Sequence, residues 1–209
     1  MTNPFDPGYF TEDDLAAMGF KMVGKNVRIA RNNTIIGLPN ISIGDNVRID
    51  GYCAIIASGS GWVDIKSFVH IGGWCYLAGG SGIQLEDFSG VSQGARIYSR
   101  ADDFSGEYLT NPTVPERYTG IQSGTVRLGK HALIGSGTVV LPQVTIGEGA
   151  AVGALSLVKN DLDPWGVYFG CPARRLRARS KRILQLEADL LRDRLDPCDP
   201  DGVSPGRRP

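Results

Sequence analysis

The chain contains two histidines, His70 and His131. Imidazole is the side chain best suited to taking a proton near neutral pH from an attacking amine or hydroxyl. Carboxylates and phenols gather in one stretch between Tyr98 and Gly124: Asp102, Asp103, Glu107, Tyr108, Glu116 and Tyr118. A carboxylate beside an imidazole fixes its tautomer and steadies the imidazolium; one beside an ammonium holds it. Two histidines are too few for a three-histidine zinc site, so no metal is expected. The four cysteines, Cys53, Cys75, Cys171 and Cys198, form no CxxC pair. They read as buried free thiols in a reduced, cytoplasmic setting.

These residues ride on a repeat. Aliphatic residues recur every sixth position at Leu128, Ile134, Val140, Ile146, Val152 and Val158. The same step links Ile43, Ile49 and Ile55; Ile65, Ile71 and Leu77; Leu85, Val91 and Ile97; and more weakly Val23, Ile29 and Ile35. Glycine often follows, as at Ile71-Gly72, Ile134-Gly135 and Val152-Gly153. A period of six suits neither a helix nor plain strand alternation. It suits a short strand and a tight turn, three of which close a triangular coil. The fold expected is all-β, a left-handed parallel β-helix. Leu128 to Ile146 spans 18 residues, one coil without insertion, whereas Ile43 to Ile65 spans 22 and Ile65 to Leu85 spans 20. The excess places insertions at Ser58–Trp62 and Gly79–Gly82. Glycine and small polar residues are expected at corners that need positive φ or close backbone approach.

The organisation expected is a segment 1–21 with a short helix, a β-helix over 22–176 carrying a long loop at 98–124, a C-terminal amphipathic helix over 177–196, and a disordered tail at 197–209. Thr11 caps the first helix, with Asp14 three residues on completing a capping box. Ser180 is the candidate cap of the second, whose apolar stripe is Ile183, Leu184, Leu186, Leu190 and Leu191. Lys and Arg number 22, as do Asp and Glu, which argues against nucleic acid or an anionic membrane as partner. No apolar run reaches the roughly 18 residues of a membrane span.

The hexapeptide register, the run Val144-Thr-Ile-Gly-Glu-Gly-Ala-Ala-Val-Gly-Ala-Leu-Ser-Leu-Val158 and the ending Phe169-Gly-Cys-Pro-Ala-Arg174 resemble the hexapeptide acetyltransferases, which include the maltose and galactoside enzymes. The likeness covers residues 22–176. It is closer still to the branch that acetylates the amine of nucleotide-linked 4-amino-4,6-dideoxy sugars such as GDP-perosamine. Val69-His-Ile71, Glu86-Asp-Phe-Ser-Gly90 and Asp102-Asp-Phe-Ser-Gly-Glu-Tyr-Leu-Thr-Asn-Pro-Thr-Val-Pro115 carry that second likeness.

The resemblance implies a homotrimer, acetyl-CoA as donor, and transfer to a nucleotide-linked amino sugar for surface polysaccharide. O-acetylation of a free sugar and a non-catalytic scaffold are the alternatives. It also implies a departure. In Ile97-Tyr-Ser-Arg-Ala-Asp102, Asp102 stands where the maltose and galactoside enzymes keep their catalytic histidine. His70 then becomes the expected base, with Asp102 or Asp103 as its partner, possible across a subunit boundary. Glu86, Asp103 and Tyr98 are expected at the acceptor. Gly135, Ser136, Gly153, Ala154 and Ser156 match the family's coenzyme-binding turns, and Lys159, Arg174 and Arg175 are expected to meet its phosphates. His131 reads as a turn residue.

Overall fold

The computed structural model describes residues 5–195; Cys198 and the tail at 197–209 lie outside them. The described chain forms two units dividing between Arg179 and Ser180. The larger is a left-handed parallel β-helix with three faces. Face 1 stacks Met22–Val23, Ile41–Ile43, Val63–Ile65, Ile83–Leu85, Val126–Leu128 and Thr145–Ile146. Face 2 stacks Arg28–Ile29, Arg48–Ile49, His70–Ile71, Gly90–Val91, Leu133–Ile134, Ala151–Val152 and Gly166–Phe169, and ends with antiparallel Arg174–Ala178. Face 3 stacks Thr34–Ile36, Ala54–Ile56, Tyr76–Ala78, Arg96–Tyr98, Val139–Val140 and Leu157–Val158.

The six-residue period is the record of this stacking. Ile49, Ile71, Val91, Ile134 and Val152 are register partners on face 2, as are Ile55, Leu77, Ile97, Val140 and Val158 on face 3. All of them are buried. Each strand is two to four residues long on the parallel faces, too short to be stable alone, so the inward columns supply the cohesion between coils.

Asn26, Asn46, Gly94, Gly137 and Gly149 hold the expected positive φ at corners, but large residues share the role. Left-handed backbone is held by Tyr52, Phe68, Trp74, Phe88, His131, Leu155 and Trp165. Stacking offsets the steric cost of that conformation. Phe68 and Phe88 lie 4.5 Å apart at 5°, and Phe88 and His131 5.2 Å apart at 24°. His131 is thus not an open turn residue but a rung of a corner ladder, 7% exposed. The glycines that follow the aliphatic positions serve close approach, as expected. A Cβ on Gly72 would sit 2.7 Å from the Gln93 backbone nitrogen, and one on Gly135 would sit 2.5 Å from that of Ala154.

The ends follow local rules. Helix α1 (Glu12–Ala17) has the reciprocal capping box, with Thr11 Oγ1 accepting from Asp14 N–H at 3.1 Å. Helix α2 (Arg182–Leu195) begins where Arg182 N–H donates to Ser180 Oγ at 3.2 Å. Arg179 fastens the last coils, its guanidinium donating to the carbonyls of His131 and Gly149. Cys53 and Cys75 are buried one coil apart; Cys171 is exposed, against the expectation of burial. The Cys53 thiol, helped by burial, pushes the Cys75 thiol upward in pKa. No helix among the described residues is long and apolar enough to cross a membrane.

Candidate active site

His70 opens a face 2 strand and points outward, with the side chain about half exposed. The neighbouring coil places Arg48 directly beside it in register. Its carboxylate partner within the chain is Asp50, whose Oδ2 lies 2.9 Å from His70 Nε2, and not Asp102 or Asp103. Asp50 Oδ1 also accepts from Arg48 Nε at 2.6 Å. Burial would raise the Asp50 pKa, but the hydrogen bonds from His70 and Arg48 outweigh it and hold the carboxyl below its ordinary range. A carboxylate so fixed sets the orientation of the ring.

Ser92 is a further candidate, one that the hydrophobic register does not single out. It follows Val91 at the place where Ile71, Ile134 and Val152 are followed by glycine. That break in the motif was the available signal. Its backbone remains in the ladder, with Ser92 N–H donating to Ile134 O at 2.8 Å. The residue is half-buried at the corner between faces 2 and 3.

The long loop begins one strand later. Arg100–Ala101 pairs antiparallel with Gln122–Ser123 and closes the base of the loop. Asp102 comes next, at the edge of a 670 Å³ cavity on face 3 whose walls include Tyr76, Tyr98, Ile56, Leu141 and Phe104. Tyr76 and Tyr98 meet at 5.6 Å between ring centroids. Asp102 Oδ1 accepts a long hydrogen bond, 3.4 Å, from Asn111 N–H. Asp103 turns instead into its own loop, accepting from Ser105 and Gly106, and the Ser105 hydroxyl first of all lowers its pKa. The chain therefore brings Tyr98 to Asp102. It leaves His70 on another face, and Glu86 at the end of a face 1 strand, where it accepts from Gln84 at 2.6 Å.

The expected donor residues gather near the C-terminal coils. Lys159, Arg174 and Arg175 line one 180 Å³ pocket together with Asp161 and Tyr168. Gly135 and Ser136 stand one coil from Gly153 and Ala154 at the corner between faces 2 and 3. Ser156 is committed internally: its hydroxyl donates to Gly153 O at 2.8 Å and accepts from Gly170 N–H at 3.0 Å, and the residue is 3% exposed. Replacing Arg174 and Arg175 together by alanine should raise the KM for an acyl-CoA donor by about tenfold or more, since charge-assisted bonds to phosphate are each stronger than neutral ones. Initial rates against donor concentration check this, and an unchanged donor KM would remove both arginines from the site.

A parallel β-helix with outward polar side chains at its corners, a long loop off one edge and a basic pocket at its end is the frame of a hexapeptide-repeat transferase. The model of the bacterial transferase hexapeptide, six repeats, matches residues 125–160. The chain is 45% identical over 180 residues to the dTDP-4-amino-4,6-dideoxy-D-glucose acyltransferase of Escherichia coli, covering 86% of this chain and 93% of that one. It superposes on AntD, an N-acyltransferase from Bacillus cereus solved with dTDP and 3-hydroxybutyryl-CoA, with a TM-score of 0.87 at 40% identity, over 90% of this chain and 99% of that chain. A chloramphenicol acetyltransferase of Klebsiella aerogenes is 31% identical over 58% of this chain. The chain belongs to the hexapeptide-repeat acyltransferase family, in the same group as the E. coli amino-sugar enzyme. It is an acyltransferase.

Proposed function

We propose that the protein transfers an acetyl group from acetyl-CoA to the 4-amine of a dTDP-linked 4-amino-4,6-dideoxy sugar, as a cytoplasmic homotrimer serving surface polysaccharide synthesis. One observation carries the assignment of the reacting end. AntD has been solved in forms substituted at a serine and at an aspartate ten residues apart, with nucleotide and coenzyme A bound. This chain has Ser92 and Asp102 at that spacing on a closely similar fold.

The reaction follows from these groups. The amine must be unprotonated to attack the thioester carbonyl. Asp102 holds the ammonium and takes its proton. The nitrogen lone pair then forms the C–N bond, and the carbonyl oxygen becomes an oxyanion that a hydroxyl such as that of Ser92 can steady. When the C–S bond breaks, the thiolate leaves and collects the second amine proton, so amine and thioester become amide and thiol. His70, oriented by Asp50 and beside Arg48, acts in this scheme on the acceptor's position rather than as the base. Coenzyme A supplies the activated acyl group and lies toward Lys159, Arg174 and Arg175.

The test is thiol release from acetyl-CoA with dTDP-, GDP- and UDP-linked 4-amino sugars and with free glycosides, run beside 3-hydroxybutyryl-CoA as comparison donor. Turnover is expected with the dTDP-linked 4-amino sugar. Activity on a glycoside alone would replace this reading by O-acetylation, and no activity with any of these acceptors would overturn the sugar acceptor.

The trimer is inferred from the loop. Beyond the two-residue ladder at its base, its regular pairing is a single bridge between Leu109 and Thr119, so it gains packing against a second subunit. Light scattering at micromolar protein should give three times the 22.4 kDa chain mass. A monomer mass would overturn the trimer and, with it, sites shared between subunits.

A further inference from the structure

One corner ladder stops short. The corner between faces 2 and 3 carries, coil by coil, Tyr52, Trp74, Gly94, Gly137 and Leu155. All five have left-handed backbone, with φ of 62°, 65°, 72°, 67° and 57°. Tyr52 and Trp74 stack at 4.4 Å with 13° between their planes. That distance is close to the roughly 4.8 Å between neighbouring strands, so each ring lies over the ring one coil away. The opposite face of Trp74 is therefore directed along the corner to Gly94, where no side chain follows. A Cβ on Gly94 would meet only Gly137 backbone, at 3.8 and 3.9 Å. At the rung beyond, a Cβ on Gly137 would meet Leu155 Cδ2 at 2.8 Å, so Leu155 covers Gly137 and the open rung is the single one at Gly94.

The other aromatic corner is filled: Phe68, Phe88 and His131 follow one another, and the glycine rung after them, Gly149, is covered by the Trp165 ring, 2.5 Å from where its Cβ would lie. Burial separates the two ladders as well: Tyr52 is 58% and Trp74 67% exposed, while His131 is buried. The gap sits beside chemistry. Ser92 and Gln93 immediately precede Gly94, and Asp50 and Gln93 share a 370 Å³ cavity with Tyr52 and Trp74.

We infer that the pyrimidine of the nucleotide acceptor stacks on the face of Trp74 turned toward Gly94, as the third rung of the Tyr52–Trp74 ladder. A flat heterocycle fits the gap, and base–aromatic stacking needs only an open π-face. Gln93 supplies an amide donor and acceptor at the same corner. This inference rests on the acceptor proposed above, and it assigns Trp74 to acceptor binding, not to the chemical step.

The test measures acceptor KM, donor KM, kcat and the Kd of dTDP alone for Trp74→Leu, Trp74→Phe and Gly94→Trp. Gly94→Trp puts a side chain into the empty rung, and Trp74 and Leu155 show that this corner accepts large side chains at positive φ. Trp74→Leu should raise acceptor KM and dTDP Kd by roughly five- to a hundredfold, the range of one lost base stack, with kcat and donor KM little changed. Trp74→Phe should retain most of the affinity, and Gly94→Trp should lose it. Wild-type melting temperatures in all three exclude misfolding as the cause. Wild-type protein that acylates no nucleotide-linked amino sugar sinks the acceptor reading itself. Wild-type protein that does so, while Trp74→Leu and Gly94→Trp keep its acceptor KM and dTDP Kd, overturns this inference alone. A rise in donor KM instead would place the adenine of coenzyme A on Trp74 and also overturn it.

Discussion

Asp102→Asn should lower kcat for amine acylation by about 10²–10⁴-fold, the span expected when a proton acceptor is removed. The substitution keeps size and shape and removes the charge. It also keeps an oxygen for the 3.4 Å bond from Asn111 N–H, so the loop has no cause to move. Acceptor KM should rise as well, because the same carboxylate holds the ammonium before the proton leaves. His70→Asn is the discriminating partner. If His70 only positions the acceptor, its loss raises acceptor KM and leaves kcat within about tenfold. If instead His70→Asn abolishes turnover and Asp102→Asn leaves kcat intact, the base is the imidazole, and the pairing that matters is His70 with Asp50. Single-turnover rates separate the chemical step from product release in either case.

Leu77→Ala should destabilise the protein by about 2–5 kcal/mol, the usual cost of deleting a fully buried leucine and leaving a cavity. Leu77 is 0% exposed, and its register partners are Ile55 and Ile97, one coil to either side. No water reaches the site, and the closed three-faced coil limits collapse into the space. A repeat fold gains its cohesion from contacts between neighbouring coils, so the loss falls on two interfaces at once. For a chain of this size the melting temperature should drop by about 5–20 °C. A drop below about 2 °C would show that the inward column is not where the stability of the β-helix resides.

The architecture was legible because burial in a β-helix has a period. Inward positions recur every sixth residue and fall in turn on the three faces, so a list of aliphatic positions is already a list of core contacts, and the spans of 18, 20 and 22 residues give the coils and their insertions. The loop was legible as a break in that count, and the helix cap at Thr11 and Asp14 as a local pattern that needs no tertiary contact. Catalytic candidates were legible only in part. Asp102 stood out through its resemblance to a family position, and Ser92 could have been found as the residue that takes the motif glycine's place.

Outward positions obey no such period, and there the tertiary structure decided. Asp50 reaches His70, and Cys53 lies beside Cys75, because a coil of 22 residues sets Arg48 against His70 and Ile55 against Leu77. Nothing in the hydrophobic pattern selects those partners over Asp102 or a solitary thiol. The corner rings follow the same logic. Tyr52, Trp74, Phe68, Phe88 and His131 occupy a backbone conformation that favours glycine when taken one residue at a time, and only the ring one coil away makes it favourable. The sequence by itself determined what lies inside the β-helix, since apolar burial acts on each residue singly. The geometry of its outer surface, where the chemistry lies, was settled only by stacking between coils, an interaction that links residues about 20 positions apart.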